Sequence, residues 1–305
     1  MKPARPPRIP NFFIVGAPKC GTTGLYHYLK QHPDIFMPER KEPNFFCADL
    51  EISRAIRDRG TYLRLFAHAG PAWRVGEASV WYLFSRRAAS AIKAFNPDAL
   101  IIAMLRNPVE MLYALHSQRF LSGYEELADF RTALARSSRG PAFETGPFRT
   151  DRLMQAPFCR QIGNYAEQIE RYLSIFGEDR VKILIYEDFK GDTGTVYRET
   201  LRFLQVEDFS IPEFKIINAN VQVRSKFLHR MVRTPPAPVR QAARAVVPRP
   251  VRQFLAAKIT ESNARTGPRA PMPLDLRKSL QAEFARDVEK LSALLRRDLR
   301  SWLND

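Results

Sequence analysis

Lys19, Gly21, Thr22 and Thr23 fall within one five-residue stretch, Lys19-Cys20-Gly21-Thr22-Thr23, and side chains of these types can together hold an anion. The glycine lets the backbone approach a bound group closely, the two hydroxyls donate hydrogen bonds, and the ammonium adds a full charge. Before the stretch comes a short apolar run, Asn11-Phe-Phe-Ile-Val-Gly16, which reads as a buried parallel strand. After it, Gly24 to Gln31 reads as a helix with Leu25, Tyr28 and Leu29 on one face. A turn at a parallel strand's carboxyl end that opens into a helix presents N–H groups and the positive end of a dipole, so a phosphate-like group is the ligand this segment suits. A plain strand-to-helix turn would need no such set of lysine, glycine and two threonines.

Elements of the same kind recur further on. Ala99-Leu-Ile-Ile-Ala-Met-Leu105 is a second apolar run, and it ends at Arg106-Asn-Pro108 and a helical stretch through about Leu121. A third run, Val181-Lys-Ile-Leu-Ile-Tyr186, ends in Glu187-Asp188 and follows helical periodicity over Tyr165–Phe176. Strands alternating with helices predict an α/β fold: a three-layer sandwich around a parallel sheet, with the phosphate-binding loop at its carboxyl edge. Residues 1–305 read as a single domain with no internal repeat. Residues 1–10 form a Pro/Arg-rich arm, 227–270 hold many Arg and Pro residues with a single Glu, and Leu274–Leu303 carries an amphipathic helical pattern. The Arg-rich stretch reads first as a solvated surface, since charge runs usually face water. Peripheral contact with an anionic membrane or acceptor is its functional alternative. Trp73, Trp81 and Trp302 read as packing residues.

The 48 Lys and Arg residues against 32 Asp and Glu give a net charge of +16, which favours anionic partners without choosing among them. The chain has 45% hydrophobic residues, enough for a sizeable core and against wholesale disorder. No run of about 18 apolar residues predicts a membrane-spanning helix. Cys20, Cys47 and Cys159 are scattered, odd in number and without metal-ligand spacing. That usage, with no signal-peptide pattern at the start, predicts a cytoplasmic protein in a reducing compartment.

The loop departs from Walker spacing, in which Lys follows the second glycine; here Thr22 stands there and Lys19 lies inside the loop. No apolar strand ending in a magnesium-binding Asp accompanies it, which disfavours a P-loop kinase or hydrolase. Instead, Pro18-Lys-Cys-Gly-Thr-Thr23 resembles the 5′-phosphosulfate loop of sulfotransferases that use 3′-phosphoadenosine 5′-phosphosulfate (PAPS). Arg106-Asn-Pro-Val-Glu110 resembles that family's 3′-phosphate strand and helix, and Lys41-Glu-Pro-Asn-Phe-Phe46 is similar to an element of its heparan-sulfate type and bacterial relatives. The likeness continues through Gly76-Glu77, Tyr186-Glu-Asp188 and the closing basic helix.

The resemblance implies transfer of a sulfuryl group from PAPS to a hydroxyl or amine of a glycan, glycolipid or small metabolite, with adenosine 3′,5′-bisphosphate as product and no metal. It implies that Lys19 stabilises the leaving oxygen and that Cys20, Gly21, Thr22 and Thr23 surround the 5′-phosphate. Arg106 would pair with the 3′-phosphate, where a guanidinium can make two parallel bonds. The family's usual Ser eight residues later is Ala114 here, with Ser117 or His116 one helical step on as substitutes. Arg224-Ser225-Lys226 lies where relatives carry a basic 3′-phosphate loop. Glu42 is the expected general base and Glu77 its rival. Ala78 stands where relatives have a Lys near the reacting centre, and Lys41 is the residue that can take its place. A His base at His116, as in small-molecule sulfotransferases, fits less well, because their Arg-Lys-Gly loop is not evident. A basic nucleic-acid-binding protein is the remaining alternative from a different class, but no DNA- or RNA-binding module appears, so no nucleic-acid partner is expected.

Overall fold

The computed structural model describes residues 9–52, 54–122, 125, 127–137, 148–149, 160–210, 213–214, 221–223, 225, 248, 251, 258–259, 262, 264–267 and 269–304. Its centre is a five-stranded sheet built from β1 (Phe12–Gly16), β2 (Ile35–Phe36), β4 (Arg74–Ala78), β5 (Leu100–Leu105) and β7 (Val181–Ile185). The strand order is β2-β4-β1-β5-β7, and every pairing is parallel. β1 and β5 are buried at each residue. Parallel strands buried on both sides need helices over both faces, which explains why they read as unbroken apolar runs.

The connecting helices are α1 (Thr22–Leu29), α2 (Arg59–Arg64), α3 (Ala88–Phe95), α4 (Pro108–Leu121), α5 (Phe130–Ser137), α6 (Tyr165–Phe176), α7 (Tyr186–Gly191), α8 (Thr193–Phe203) and α9 (Leu274–Leu295). Two small ladders complete the described elements. Parallel β3 (Leu50–Glu51) pairs with β6 (Phe148–Arg149), and antiparallel β8 (Val221–Val223) pairs with β9 (Ala264–Thr266). Several helix starts are fixed by side chains. Asn107 accepts from the Val109 N–H at 3.0 Å with Pro108 in the first turn of α4. Asp192 caps α8 through the Thr195 N–H at 2.9 Å. The cap of α6 comes from another helix: Asp287 of α9 accepts from the N–H groups of Tyr165 and Ala166 at 2.8 and 3.2 Å.

The parallel α/β architecture and the first two apolar strands are as the sequence predicts. The third strand is one residue shorter, because Tyr186 opens α7 rather than closing β7. The helix predicted to run from Leu274 to Leu303 stops at Leu295. Arg296 takes a left-handed conformation (φ 50°), and the N–H groups of Arg296 and Arg297 turn back onto Ala293 and Ser292. A separate 3₁₀ turn, Arg300–Trp302, then tucks Trp302 against Tyr165. Trp73 is not a packing residue: it is 53% exposed beside Arg74. The 1–8 portion of the basic arm, most of 227–270 and Cys159 lie outside the described residues.

Close packing of β4 on β1 leaves no room at Gly76, where a Cβ would collide with the Phe12 ring and the Met37 sulfur. Gly76→Ala is therefore expected to destabilise the fold by about 1–3 kcal/mol. Gly191→Ala, where a Cβ meets nothing within 4 Å, should shift stability by less than about 0.5 kcal/mol. Chemical denaturation of the two variants side by side checks this. Equal effects would mean that β4 and β1 can separate freely.

Candidate functional site

The anion-binding loop begins where β1 ends. Its first residue is tied across to the neighbouring strand by the Ala17 N–H, which donates to Met104 O at 2.6 Å. Gly21 is the cap residue of α1 at φ 89°, a conformation that favours glycine, and a Cβ there would stand 3.0 Å from the Tyr186 ring. No side chain caps α1 and no acidic residue lies in its first turn, so the N–H groups of this turn remain available to an anion. Cys20 is fully buried; its thiol donates to Pro18 O at 3.3 Å and lies 4.0 Å from the Tyr165 hydroxyl. Burial pushes the thiol up to about 12, so the helix start does not activate it, and its part in the loop is packing.

Lys19 is the loop's charged member. Its pKa is lowered, first by burial and then by the positive charges of Arg269, Arg106 and Lys41. Arg269, Arg106 and Lys41 thus lie near enough to Lys19 for their charges to be felt there. Arg106 leaves the end of β5, lies over the Tyr186 ring at 4.7 Å, and donates weakly to Lys19 O at 3.4 Å. Its Nε is buried with no hydrogen-bond partner among the described residues. Arg269 packs over Tyr113 at 5.0 Å, and the Tyr113 hydroxyl donates to Ala270 O at 3.0 Å, which draws the start of the C-terminal region onto α4.

Lys41, whose charge is felt at Lys19, brings Glu42 with it. The Lys41 ammonium contacts the Glu42 carboxylate at 2.6 Å, and the second Glu42 oxygen accepts from the Val80 N–H at 3.0 Å. Glu42 (φ 61°) and Asn44 (φ 51°) both adopt left-handed backbone, so the segment needs support from below. The residues after β4 supply it. Ser79 Oγ accepts from the Asn44 N–H at 3.0 Å, Tyr82 Oη from the Phe45 N–H at 2.9 Å, and Ala78 O from the Glu42 N–H at 3.0 Å.

Beneath that network lies Glu77. The structure separates the two candidate carboxylates: Glu42 is 32% exposed, whereas Glu77 is 0% exposed. One Glu77 oxygen accepts from the hydroxyls of Tyr82 and Tyr62 at 2.7 and 3.1 Å. The other is buried without a hydrogen-bond partner. Burial pushes Glu77 up to about 7 against the downward pull of Tyr82, Ser79 and Tyr62. Glu77 is thus an internal support of the Glu42 segment, while Glu42 pairs with Lys41.

The remaining sequence candidates divide. Ser117 Oγ donates to Tyr113 O at 2.9 Å within its own helix. His116 is buried and bonded to Leu127 O at 2.9 Å, and burial lowers its pKa. Arg224 and Lys226 lie outside the described residues, and Ser225 is described only in isolation. Arg269 is the site residue that the sequence reading missed. It sits at the end of the Arg-rich stretch, where nothing in composition marks one arginine apart from its neighbours. Among the described residues no group of three or more His, Cys, Asp or Glu side chains could hold a metal ion.

The family model of the sulfotransferase domain matches residues 10–213. A solved sulfotransferase structure from Alicyclobacillus acidocaldarius is 32% identical, superposes with a TM-score of 0.72, and is matched over 96% of this chain and 98% of its own. Carbohydrate sulfotransferase 15 of Mus musculus is 28% identical over 255 residues, spanning 66% of this chain and 45% of its own length. Heparan sulfate glucosamine 3-O-sulfotransferase 6 of Homo sapiens is 30% identical over 169 residues, or 55% of this chain and 44% of its own. The match thus spans a little under half the length of these curated relatives. With its phosphate-type loop and parallel sheet already in place, the chain belongs to the sulfotransferase domain family.

The buried state of Glu77 has a measurable consequence. Between the ordinary carboxylate value of 4.5 and about 7, the folded chain holds a proton that the unfolded chain has lost. Stability from this group is full below 4.5 and is lost as pH rises through about 7. Glu77→Gln removes that dependence, so the melting temperature of the wild type should fall relative to the variant between pH 5 and pH 8. Parallel melting curves across the range would show that Glu77 does not titrate there.

Proposed function

We propose that this chain transfers a sulfuryl group from 3′-phosphoadenosine 5′-phosphosulfate to a hydroxyl or amine of a carbohydrate acceptor. The observation that carries the reading is the convergence of Lys19, Arg106 and Arg269 with an uncapped helix start, and with Lys41, which pairs with Glu42. Such a site suits a ligand with anionic groups at two ends and a reacting centre between cations and a carboxylate. The names of the curated relatives, a carbohydrate sulfotransferase and a heparan sulfate glucosamine sulfotransferase, favour a sugar as acceptor.

In this reading the first-turn N–H groups of α1, with Gly21, Thr22 and Thr23, hold the 5′-phosphate, while Arg106 and Arg269 face the 3′-phosphate. The acceptor oxygen or nitrogen attacks sulfur in line, and its bond to sulfur forms as the bond from sulfur to the 5′-phosphate oxygen breaks. Glu42 takes the acceptor's proton, and Lys19 stabilises the negative charge that grows on the leaving oxygen. Lys41, 2.6 Å from Glu42, adds positive charge on the acceptor side, the place of the side chain missing at Ala78. Positioning and charge stabilisation dominate catalysis, because the donor arrives already activated. The free, buried thiols of Cys20 and Cys47 support residence in a reducing compartment such as the cytoplasm.

Mass spectrometry of a panel of carbohydrate acceptors incubated with PAPS tests the reaction, the expected product gaining one sulfuryl group. Against the best acceptor, Glu42→Gln should lower turnover on the order of 10²–10⁴-fold with nucleotide affinity unchanged. Near-normal turnover in Glu42→Gln would remove the proton-accepting role from that residue. Transfer of phosphate from ATP in place of sulfate would overturn the reading as a whole.

A further inference from the structure

Glu110 stands one helical turn after Arg106 on α4 and sits among arginines. Its Oε2 lies 3.6 Å from Arg106 Nη2, whereas its Oε1 is held at 2.5 Å by Arg277 Nη2. Arg269 also feels its charge. The two measured contacts differ in kind. A charge-assisted hydrogen bond runs about 2.7–2.9 Å, so Glu110 is bonded to Arg277 and only adjacent to Arg106. All three side chains are partly buried, where solvent screens their charges less than on an open surface.

An ionised carboxylate in this place has two opposing effects. It offsets the mutual repulsion of the arginines around it, and it competes with an incoming anion for Arg106. Which effect dominates depends on where the carboxylate is held. Arg277 comes from the first turns of α9, beyond residues 10–213 of the family match, and that region is anchored independently. The Tyr113 hydroxyl reaches Ala270 O at 3.0 Å, and Arg131 of α5 reaches Asp275 at 2.5 Å.

We propose that Arg277 is a positioning residue for the 3′-phosphate site: by binding Glu110 it keeps that carboxylate from pairing fully with Arg106, so that Arg106 stays available to the anion. Without Arg277, Glu110 has Arg106 3.6 Å away and closes the remaining distance to form a direct pair. The phosphate must then displace a bonded carboxylate rather than a neighbouring one. This inference rests on the reading that Arg106 meets the 3′-phosphate.

The test is calorimetric binding of adenosine 3′,5′-bisphosphate and adenosine 5′-monophosphate to the full chain and to Arg277→Met, Glu110→Gln and the double variant. Arg277→Met should weaken bisphosphate binding about two- to fivefold and leave monophosphate binding unchanged, the size expected of one partly exposed ion pair. In the Glu110→Gln background the same change should have no effect, because the competitor is gone. Glu110→Gln alone should bind bisphosphate as tightly as the wild type or more tightly. Equal weakening of both nucleotides by Arg277→Met would reduce Arg277 to a structural brace, and an effect that persists in the double variant would also overturn the proposal. Should Arg277→Met not fold, Glu110→Gln still decides: weaker bisphosphate binding in that variant contradicts a competing carboxylate. A wild type that binds both nucleotides equally would refute the role of Arg106 itself, an outcome distinct from any failure of Arg277.

Discussion

Lys19, a partly buried ammonium that feels the charges of Arg269, Arg106 and Lys41, sets the problem that the rest of the chain solves. Like charges brought together away from bulk water repel, so an ammonium in this place needs a rigid scaffold to hold it. The pKa of Lys19 is lowered chiefly by burial and further by those neighbouring charges. The scaffold resists the repulsion with covalent and apolar structure. Lys19 and Arg106 leave adjacent parallel strands whose residues are wholly buried, and the loop between β1 and α1 is tied to Met104 O. Carboxylates at the margin supply partial compensation: Glu42 on Lys41, and Glu110 between Arg106 and Arg277. An anion bound here would relieve that repulsion, which is the physical basis of the nucleotide site proposed above.

Glu42 and Glu77, near enough for one to feel the other's charge, sit in very different surroundings. Glu42 remains partly exposed beside an ammonium, the setting of a carboxylate that can meet a substrate. Glu77 is enclosed by Tyr62, Tyr82 and Ser79 and holds its proton to about pH 7. The same tyrosine that donates to Glu77 accepts from the Phe45 N–H, so the buried acid and the left-handed backbone at Glu42 belong to one hydrogen-bonded unit. Its bonds tie the Glu42 segment to the end of β4, although one Glu77 oxygen in it is left without a partner. The C-terminal region plays a similar part at a distance. Asp287 caps α6, Trp302 O accepts from the Asn107 side chain at 3.0 Å, and Arg297 forms two bonds to Asp188 at 2.5 and 2.7 Å. Helix α9 and its following turn thereby brace the starts of α4, α6 and α7 together.

What the sequence disclosed follows from how local each signal is. The loop from Lys19 to Thr23 was legible because its residues are consecutive and their chemistry is shared, and β1 and β5 because strands buried on both sides must be apolar throughout. β4 was not recognised as a strand: Arg74-Val-Gly-Glu-Ala78 contains a glycine demanded by Phe12 and Met37 and a glutamate caged by tyrosines from elsewhere, so its composition hides its burial. The end of α9 was misread because Leu299 and Trp302 continue the apolar pattern while the left-handed Arg296 breaks the backbone. Arg269 was illegible for a different reason. It reaches the site through the contact of Tyr113 with Ala270, 157 residues apart in sequence, and no local pattern encodes such a meeting. The exchange of Ser for Ala114 was visible, but its substitute could not be chosen, since Ser117 and His116 are both committed to backbone partners in the folded chain.

Comparative thermal stabilisation tests most directly whether the cations around Lys19 are shaped for an adenosine nucleotide with anions at both ends. A ligand that binds only the native state raises the melting temperature in proportion to its affinity. Adenosine 3′,5′-bisphosphate should raise the melting temperature of this chain more than ATP with magnesium does at the same concentration. Equal or greater stabilisation by magnesium ATP would contradict the account and return the loop to an ordinary triphosphate site.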